Sequence, residues 1–403
     1  MPPYPMQHGL KEPRQWFSHA GVFMLLALLL GGGTRNGLSS DALLQLLALP
    51  LVWRFIMTFP HGARHPAVPA LVLMAFALFA WQLLPWPSRD GWHFPFTVAA
   101  GSTLQSFLVF LVFVSLFWVL MTSSREQRHL AIAWMLAGVA ANLVFSLLVF
   151  AGNNAIFDVF EWRMSAGFFA NENHLSMLYV MAVPFLVAWF GQNRWMWLAL
   201  LVVLFMVAVQ FVVGSRAGMA MILAASVLSF AFVRRGSWWL LLTLLLLIVA
   251  AGWWAITYLG WGEELSLAGN KISRGAFWAN TLKAIGAHWP WGSGFGTFVP
   301  VYAAFEPPEQ ILNVYVNRAH NDWLEVALEG GLPVLILIAA MLLTLLWRVV
   351  RQPLDAWQRA AALSLLFVML HSIVDYPLRT MALSSMTALL LAILMAAPET
   401  AER

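Results

Sequence analysis

Long apolar runs separated by short polar segments recur along the whole chain. A run of about 20 apolar residues can cross the hydrocarbon core of a bilayer as an α-helix. We predict spans at residues 16–32, 40–59, 66–85, 98–121, 129–151, 174–190, 195–213, 216–233, 238–259, 332–350, 357–374 and 380–397. The pattern therefore predicts an all-α polytopic membrane protein with about 12 transmembrane helices. Residues 1–403 would form a single integral membrane domain.

The composition supports this interpretation, since 61% of the 403 residues are hydrophobic and the mean hydropathy is +0.77. The first apolar run lacks a small-residue cleavage site, so we predict a span there and not a cleaved signal peptide. The chain has no cysteine. This excludes disulfides, thiolate metal sites and lipidation at cysteine.

The charged residues of the predicted loops are divided unevenly between the two sides of the membrane. An even number of spans places both termini on one side, which carries 13 basic and 5 acidic residues and a net charge of +8. The other side carries 9 basic and 13 acidic residues and a net charge of −4. Because basic loops stay in the cytoplasm, we expect both termini to be cytoplasmic. No basic patch with interleaved aromatic residues occurs, so no nucleic-acid binding is expected.

Two predicted outer segments, 152–173 and 260–331, are long enough to carry function. A loop as long as 260–331 usually contributes to a site or contains helices of its own. The run SRGAFWANTLKAIGAHW at 273–289 predicts a helix whose apolar residues recur at helical spacing and would lie in the membrane interface. The PWGSGFGTF sequence that follows predicts a Gly-rich turn. It lacks the preceding strand and following helix of a dinucleotide-binding loop.

Two arginines are predicted to begin helices on the outer side. Ser215 is a suitable N-cap and places Arg216 at the first helical position. Ser273 and Arg274 repeat this arrangement. A cation at the positive end of a helix dipole is favourable when an anion shares the site, and helix N-termini bind phosphate oxygens. Alternatively, each arginine extends to lipid headgroups.

The sequence HNDWLEVALEGGLP at 320–333 predicts a short amphipathic helix that turns into the tenth span. Asn321 is the expected N-cap. A Gly-Gly pair would end the helix, and Pro333 would begin the next one. The acidic residues Asp322, Glu325 and Glu329 are spaced three and four apart and would share one face.

His320 would lie at the N-terminal edge of this short helix and face water on the outer side. Histidine can take up or release a proton near neutral pH. An inverting sugar transfer requires a base for the incoming hydroxyl group and cations for the departing phosphate. Alternatively, His320 is an interfacial histidine with satisfied hydrogen bonds.

Further polar residues are predicted at the outer face. Asp375 and Arg379 lie in the short turn HSIVDYPLR at 371–379, where they could pair locally or could orient a catalytic group and bind phosphate. The turn before the sixth span contains Asn173 and His174, which could hold sugar hydroxyls or simply cap a helix. The candidate binding residues are Arg163, Asn173, His174, Arg318, Asn321, Asp322, Glu329 and Arg379. We expect no metal, because a pocket with several arginines repels a divalent cation.

The order of these motifs resembles the O-antigen ligase and polymerase superfamily. The resemblance rests on Asn-x-Asn-His at 171–174, Ser-Arg-x-Gly at 215–218, GSGFGTF at 292–298, His-Asn-Asp-x-Leu at 320–324, Glu-x-Gly-x-Pro at 329–333 and the closing HSIVDYPLR. It covers about residues 165–380.

This resemblance implies a glycosyltransferase of the C type that takes a glycan from a polyprenyl diphosphate carrier at the periplasmic face of the bacterial inner membrane. It implies inversion at the sugar, without a metal or other cofactor. His320 would activate the acceptor hydroxyl, Arg216 and Arg274 would bind the diphosphate, and Asp375 would be a further catalytic residue. The large periplasmic loop at 260–331, between helices 9 and 10, would carry part of the active site.

Three functions remain open from sequence. The first is an O-antigen ligase of lipopolysaccharide biosynthesis. It transfers a polysaccharide from undecaprenyl diphosphate to the lipid A core, and the enzyme itself is surrounded by membrane lipids. The second is a polymerase that joins repeat units on the same carrier. The third, a polysaccharide or lipid transporter, is disfavoured because ionisable groups are nearly absent from the middle of the predicted spans.

Overall fold

The computed structural model describes residues 18–34, 38–61, 63, 65–88, 91–150, 167–192, 195–233, 274–311 and 315–396. The predicted span 238–259, the candidate residue Arg163, most of the outer segment 152–173 and residues 260–273 of the long loop lie outside this part of the chain. Statements about the fold below refer to the described residues.

The helices lie where the apolar runs predict them. They are α1 (His19–Leu30), α2 (Ser39–Leu47), α3 (Leu49–Thr58), α4 (Ala67–Leu83), α5 (Ala100–Thr122), α6 (Arg125–Phe150), α7 (Glu172–Gln192), α8 (Met196–Val213), α9 (Arg216–Leu228, extended by a π-turn at Ser229–Val233), α10 (Arg274–His288), α11 (Phe298–Ala303), α12 (Asp322–Arg351), α13 (Ala356–His371) and α14 (Met381–Met395). Short 3₁₀ turns occupy Pro308–Gln310 and Pro377–Arg379. Within the described residues, each predicted span corresponds to a helix, or to the α2–α3 pair, within about one helical turn. Helix α12 is the exception, because it begins at Asp322, ten residues before the predicted span at 332–350.

Five helical segments are long and apolar enough to cross a membrane. These are α5, residues 125–148 of α6, residues 172–191 of α7, α9 with its π-turn, and α12. The α2–α3 pair, bent by 42°, would make a sixth. The helices α1, α4, α8 and α14 are apolar but shorter. The described chain is thus a helical membrane protein, and the total of 12 spans and their orientation remain predictions.

The helices α7 and α14 form the centre of the bundle. Every residue of α14 is buried, and 83% of the apolar window of α7 is buried. A helix that is apolar on all sides is stable where neighbouring helices or lipid surround it. The helix α14 packs against α1, α5 and α13, whereas α7 packs against α8, α9 and α13. Small residues such as Ala388 and Ala392 permit this close approach.

A two-stranded β-hairpin interrupts the otherwise helical fold and was not predicted. Strand β1 (Pro85–Ser88) pairs antiparallel with β2 (Gly91–Pro95), with Trp86 opposite His93 and Ser88 opposite Gly91. The turn-favouring pair Asp-Gly at 90–91 does not mark this register, because Gly91 lies in the strand and pairs with Ser88. The strands also contain three prolines, and proline is rare inside sheets.

A second, smaller core (the outer core) covers the side of the bundle that is predicted to face outward. The predicted helix of the long loop is present as α10, whose Phe277 and Ala284 pack with residues of α11 and of the chain before α12. The apolar residues of α10 were predicted to lie together in the membrane interface. They differ in burial, because Phe277 is buried and Leu282 is 56% exposed. The outer core therefore presses α10 onto the short helix that carries the acidic residues.

The predicted break between that short helix and the next span is confirmed. Helix α12 contains a kink at Gly331 (φ 57°, ψ −157°), which divides it into a short arm, 322–330, and a long arm, 332–351. The Gly-rich turn binds the end of the short arm, since Ser293 N donates to Leu328 O (2.8 Å) and Gly294 N donates to Glu329 O (2.9 Å). Its backbone thus satisfies carbonyl groups that a helix end leaves unpaired.

We predict that Gly331→Ala destabilises the protein by about 1 kcal/mol or more, because alanine is strained at this φ. Its Cβ would also clash with Pro290 O and lie 2.6 Å from Gly292 N. Thermal unfolding in detergent would measure the effect. The control is Gly286→Ala in α10, where an added Cβ meets nothing within 4 Å. Equal unfolding temperatures for the two variants would contradict the assigned kink.

Candidate active site

The short arm of α12 is fixed at its N-terminus by two sets of hydrogen bonds. The side chain of Asn321 accepts from Leu324 N (3.0 Å), which confirms the predicted N-cap. Asp322 N donates to the carbonyl oxygens of Ser372 (2.9 Å) and Asp375 (3.2 Å). The start of the short arm therefore lies on the turn between α13 and α14, although the two segments are about 50 residues apart.

His320 occupies an unusual backbone position just before this helix. Its φ of 52° is the one positive φ of a non-glycine residue in the described chain. Such conformations are costly and are retained where the surrounding structure enforces them, often at functional sites. The ring lies between Phe277 (centroid distance 6.0 Å, 22°) and Tyr376 (4.9 Å, 72°). The side chain is 25% exposed, so the ring is held firmly but remains accessible.

The buried carboxylate of Asp375 connects three of the predicted residues. Its Oδ1 lies 3.3 Å from His320 Nδ1 and 3.8 Å from His174 Nε2. Its Oδ2 lies 4.0 Å from a guanidinium nitrogen of Arg274. Asp375 also accepts from Tyr376 N (2.9 Å). The predicted proximity of Asp375 to the catalytic candidates is thus what the structure shows.

The environment of Asp375 favours its ionised form. Burial alone would raise the pKa of its carboxyl group, but His320 at 3.3 Å and the nearby His174 and His371 outweigh burial and hold this pKa below its usual range. An ionised carboxylate beside Nδ1 favours the tautomer in which Nδ1 carries the proton. His320 Nε2 is then left with a lone pair that can accept a proton.

A second group of charged residues binds the acidic face of the short arm. The guanidinium of Arg379 binds Asp322 (3.2 Å), Glu325 (3.5 Å) and Glu329 (2.8 Å). The three acids do share one face, as the spacing predicted. Arg318 binds Glu325 (3.4 Å) from the other side.

This arrangement corrects one expectation for the turn at 371–379. Arg379 does not pair with its neighbour Asp375, because the three carboxylates of the short arm surround it. The same pairing makes Arg379 a support for the short arm, and its role as a phosphate ligand stays a prediction. Asp322 and Glu329, predicted to contact substrate, are buried against Arg379.

The start of α9 joins the site through α7. Ser215 caps α9 by accepting from Gly218 N (3.1 Å), so Arg216 begins the helix as predicted. The hydroxyl of Ser215 donates to Asn173 Oδ1 (2.7 Å). Asn173 precedes His174, which touches Asp375. A continuous series of contacts therefore connects the helix start at Arg216 with His320.

Burial changes the expected roles of three candidate residues. His174 is fully buried beneath Asp375, with its ring edge against Tyr376 (4.8 Å), and cannot reach a sugar. Asn321 is buried and its side chain caps the short arm. Arg318 is buried against Glu325. Half-buried Asn173 and the 44%-exposed Arg274 stay closer to the surface.

Three residues of the site were missed as candidates. Glu325 accepts from Ala319 N (2.8 Å) and so fixes the chain just before His320. His371 is buried and acts electrostatically on Asp375. Tyr376 packs on both His320 and His174. Glu325 could have been found from its shared helix face, but the two others had no signal beyond their proximity to Asp375 in sequence.

The acidic trio offers no free metal site, since the Arg379 guanidinium lies among its oxygens. Within the described residues, no group of three or more His, Asp or Glu side chains is arranged to hold a metal. The expectation of a metal-independent reaction remains a prediction.

Part of the chain that contributes to this site is similar to a known protein family. Residues 201–339 match the family model described as O-Antigen ligase. The matched range includes Arg216, Arg274 and His320 and ends before Asp375 and Arg379. A search of curated proteins finds no match. The family match agrees with the resemblance seen in the motifs over residues 201–339, which are about a third of the chain. The long apolar helices indicate a membrane protein.

We predict that Arg379→Gln destabilises the protein by about 3–5 kcal/mol, because it leaves buried carboxylates without their cation. Arg379→Lys should recover part of the loss, since it restores charge but not the planar fork. Thermal unfolding and yield in detergent would measure both. Lys283→Gln, at an exposed side chain of α10, is the matched control and should unfold near the parent temperature. An Arg379→Gln protein as stable as the parent would contradict the supporting role.

Proposed function

We propose that this protein, a member of the O-antigen ligase family through residues 201–339, transfers a glycan from undecaprenyl diphosphate to a hydroxyl group of the lipid A core. The reaction would take place at the periplasmic face of the inner membrane, with both termini in the cytoplasm. The observation that carries the proposal is the Asp375 carboxylate, which holds His320 on one oxygen and faces Arg274 with the other.

In this mechanism His320 is the general base. Asp375 holds the Nδ1 proton of His320 (3.3 Å), so Nε2 accepts the proton of the acceptor hydroxyl as its oxygen attacks the first carbon of the donor sugar. The bond between that carbon and the phosphate oxygen breaks, and the electron pair leaves with the diphosphate. A positioned base of this type contributes about 10²–10⁴-fold to a rate.

The cations on the donor side would stabilise the departing charge. Arg274 has a 44% exposed side chain beside Asp375, and Arg216 begins α9 at the positive end of the helix dipole. Arginine binds phosphate through paired hydrogen bonds, and a helix N-terminus adds favourable dipoles. We propose that the diphosphate binds between these two residues.

The same geometry supports inversion at the sugar. A retaining transfer requires a carboxylate that attacks the sugar carbon directly. Asp375, the carboxylate beside His320, is only 1% exposed and is surrounded by His320, His174 and Arg274. It is placed to orient the base and not to form a bond with the sugar, so a single displacement by the acceptor hydroxyl is the reaction that fits.

We predict that His320→Gln lowers the transfer rate by about 10²–10⁴-fold, and that Asp375→Asn has a similar effect because it loses the charge that orients the base. The assay would combine purified protein, a polyprenyl diphosphate-linked oligosaccharide and a rough lipopolysaccharide acceptor. His288→Gln, a histidine of α10 bound to the carbonyl of Ala284, is the matched control and should retain activity.

The products of this assay decide between the related functions. Glycan attached to the lipid A core, and lost with His320→Gln, supports the ligase. Longer chains that remain on the carrier would make the protein a polymerase that uses the same residues. Transfer that persists in both His320→Gln and Asp375→Asn, at normal protein levels, would refute the role of His320 as the general base.

A further inference from the structure

Two aromatic rings from separate parts of the chain lie against the imidazole of His320. Phe277 comes from α10 and belongs to the outer core, whereas Tyr376 comes from the turn between α13 and α14. The ring of Phe277 is nearly parallel to that of His320 (22°, centroids 6.0 Å apart), and the ring of Tyr376 is steeply inclined to it (72°, 4.9 Å). Both aromatic side chains are buried, so packing fixes their positions.

The contact with Asp375 fixes one atom of the imidazole but not its plane. The distance of 3.3 Å between His320 Nδ1 and Asp375 Oδ1 is slightly longer than the upper end, about 3.2 Å, of the common range for such hydrogen bonds. The last torsion of a histidine side chain has a broad potential, so rotamer preference does not hold the ring either. The direction of Nε2 therefore depends on the aromatic neighbours as well as on Asp375.

The proposed reaction also changes the charge of this ring. His320 becomes a cation when it accepts the proton of the acceptor hydroxyl. The face of an aromatic ring attracts a cation that lies within about 6 Å of its centroid, and the nearly parallel ring of Phe277 lies at that distance. This attraction grows as the proton is transferred. An interaction that is stronger in the transition state than in the ground state lowers the barrier.

The outer core connects Phe277 to the chain just before His320. Ala319, the residue that precedes the base, is buried in the same core. Phe277 also follows Arg274 by three residues on α10, so the two are neighbours on one helix surface. Helix α10 therefore joins the proposed diphosphate ligand to the ring that lies on the base.

We propose that Phe277 is a positioning residue of the transfer reaction, whose ring holds the plane of His320 and stabilises the imidazolium that forms. This inference rests on the proposed function and adds a residue that acts on the base without touching either substrate. It gives α10 a second role beside that of Arg274. The ring face is the feature that matters, so the loss of the ring should be felt more than the loss of its volume.

The test is a set of variants of the full-length protein in the glycan-transfer assay. Phe277→Leu keeps an apolar side chain but removes the ring, and we expect kcat to fall by about 10–100-fold, because a small misplacement of a catalytic group can cost about 10²-fold. KM for donor and acceptor should stay near the parental values. Phe277→Tyr keeps the ring and should recover most of the rate.

Phe298→Leu is the matched control. Phe298 is fully buried in the same outer core, and its ring stacks on Tyr302 (5.2 Å, 28°). This variant should retain the parental rate, so that a loss confined to Phe277→Leu does not come from a weakened core. If Phe277→Leu unfolds, Phe277→pentafluorophenylalanine keeps the shape of the ring and reverses the polarity of its face. We expect it to lower kcat by about two- to fivefold, the loss of one cation–π contact.

A second measurement needs no glycan transfer. In the ¹⁵N spectrum of histidine-labelled protein, Phe277→Leu should weaken the preference of His320 for a proton on Nδ1, whereas Phe298→Leu should leave it unchanged. This result would support the positioning role even if His320→Gln retained transfer and the proposed base were wrong.

Two results would overturn the inference. If His320→Gln abolishes transfer while Phe277→Leu and Phe298→Leu have equal rates and equal His320 signals, Phe277 only fills the outer core. A Phe277→Tyr protein as slow as Phe277→Leu would show that the ring face is not what the base requires.

Discussion

The site depends on one buried negative charge. A carboxylate such as Asp375, with 1% of its side chain exposed, is stable only when partners replace the water it has lost. His320, His174 and Arg274 supply these partners from three separate parts of the chain. Removing the charge would leave His320, the proposed base, without the carboxylate beside its Nδ1. The same contact therefore links the stability of the outer side to the proposed chemistry.

A second constraint keeps His320 in its strained backbone position. The short arm of α12 is held by Arg379 through three carboxylates, by the Gly-rich turn at its end, and by Asn321 at its start. A loop held only by solvent would relax from a φ of 52°. The ion pairs of the short arm thus help to fix the position of His320. The hydrophobic residues of the short arm alone would specify a helix but not where that helix begins relative to Asp375.

The sequence predicted what depends on near neighbours. Hydropathy predicted the helices because each span is a local apolar run, and the caps at Ser215 and Asn321 were predictable because capping involves the next three residues. The partners of Arg379 were not predictable, since its acids lie about 50 residues away and meet it only in the folded chain. The positive φ of His320 likewise has no signature in the sequence. The β-hairpin was not predictable from turn chemistry, because Gly91 of the Asp-Gly pair lies in the strand opposite Ser88 and the two strands contain three prolines.

The central claim is that Asp375 holds the proton on His320 Nδ1 and leaves Nε2 bare. The most direct measurement is the ¹⁵N spectrum of histidine-labelled protein in detergent at neutral pH, with the His320 signals assigned by their loss in a His320 variant. We expect a protonated Nδ1 and an unprotonated Nε2, and loss of this preference in Asp375→Asn. A proton found on Nε2, with Nδ1 bare, would contradict the account, because the nitrogen left to accept a proton would then face Asp375.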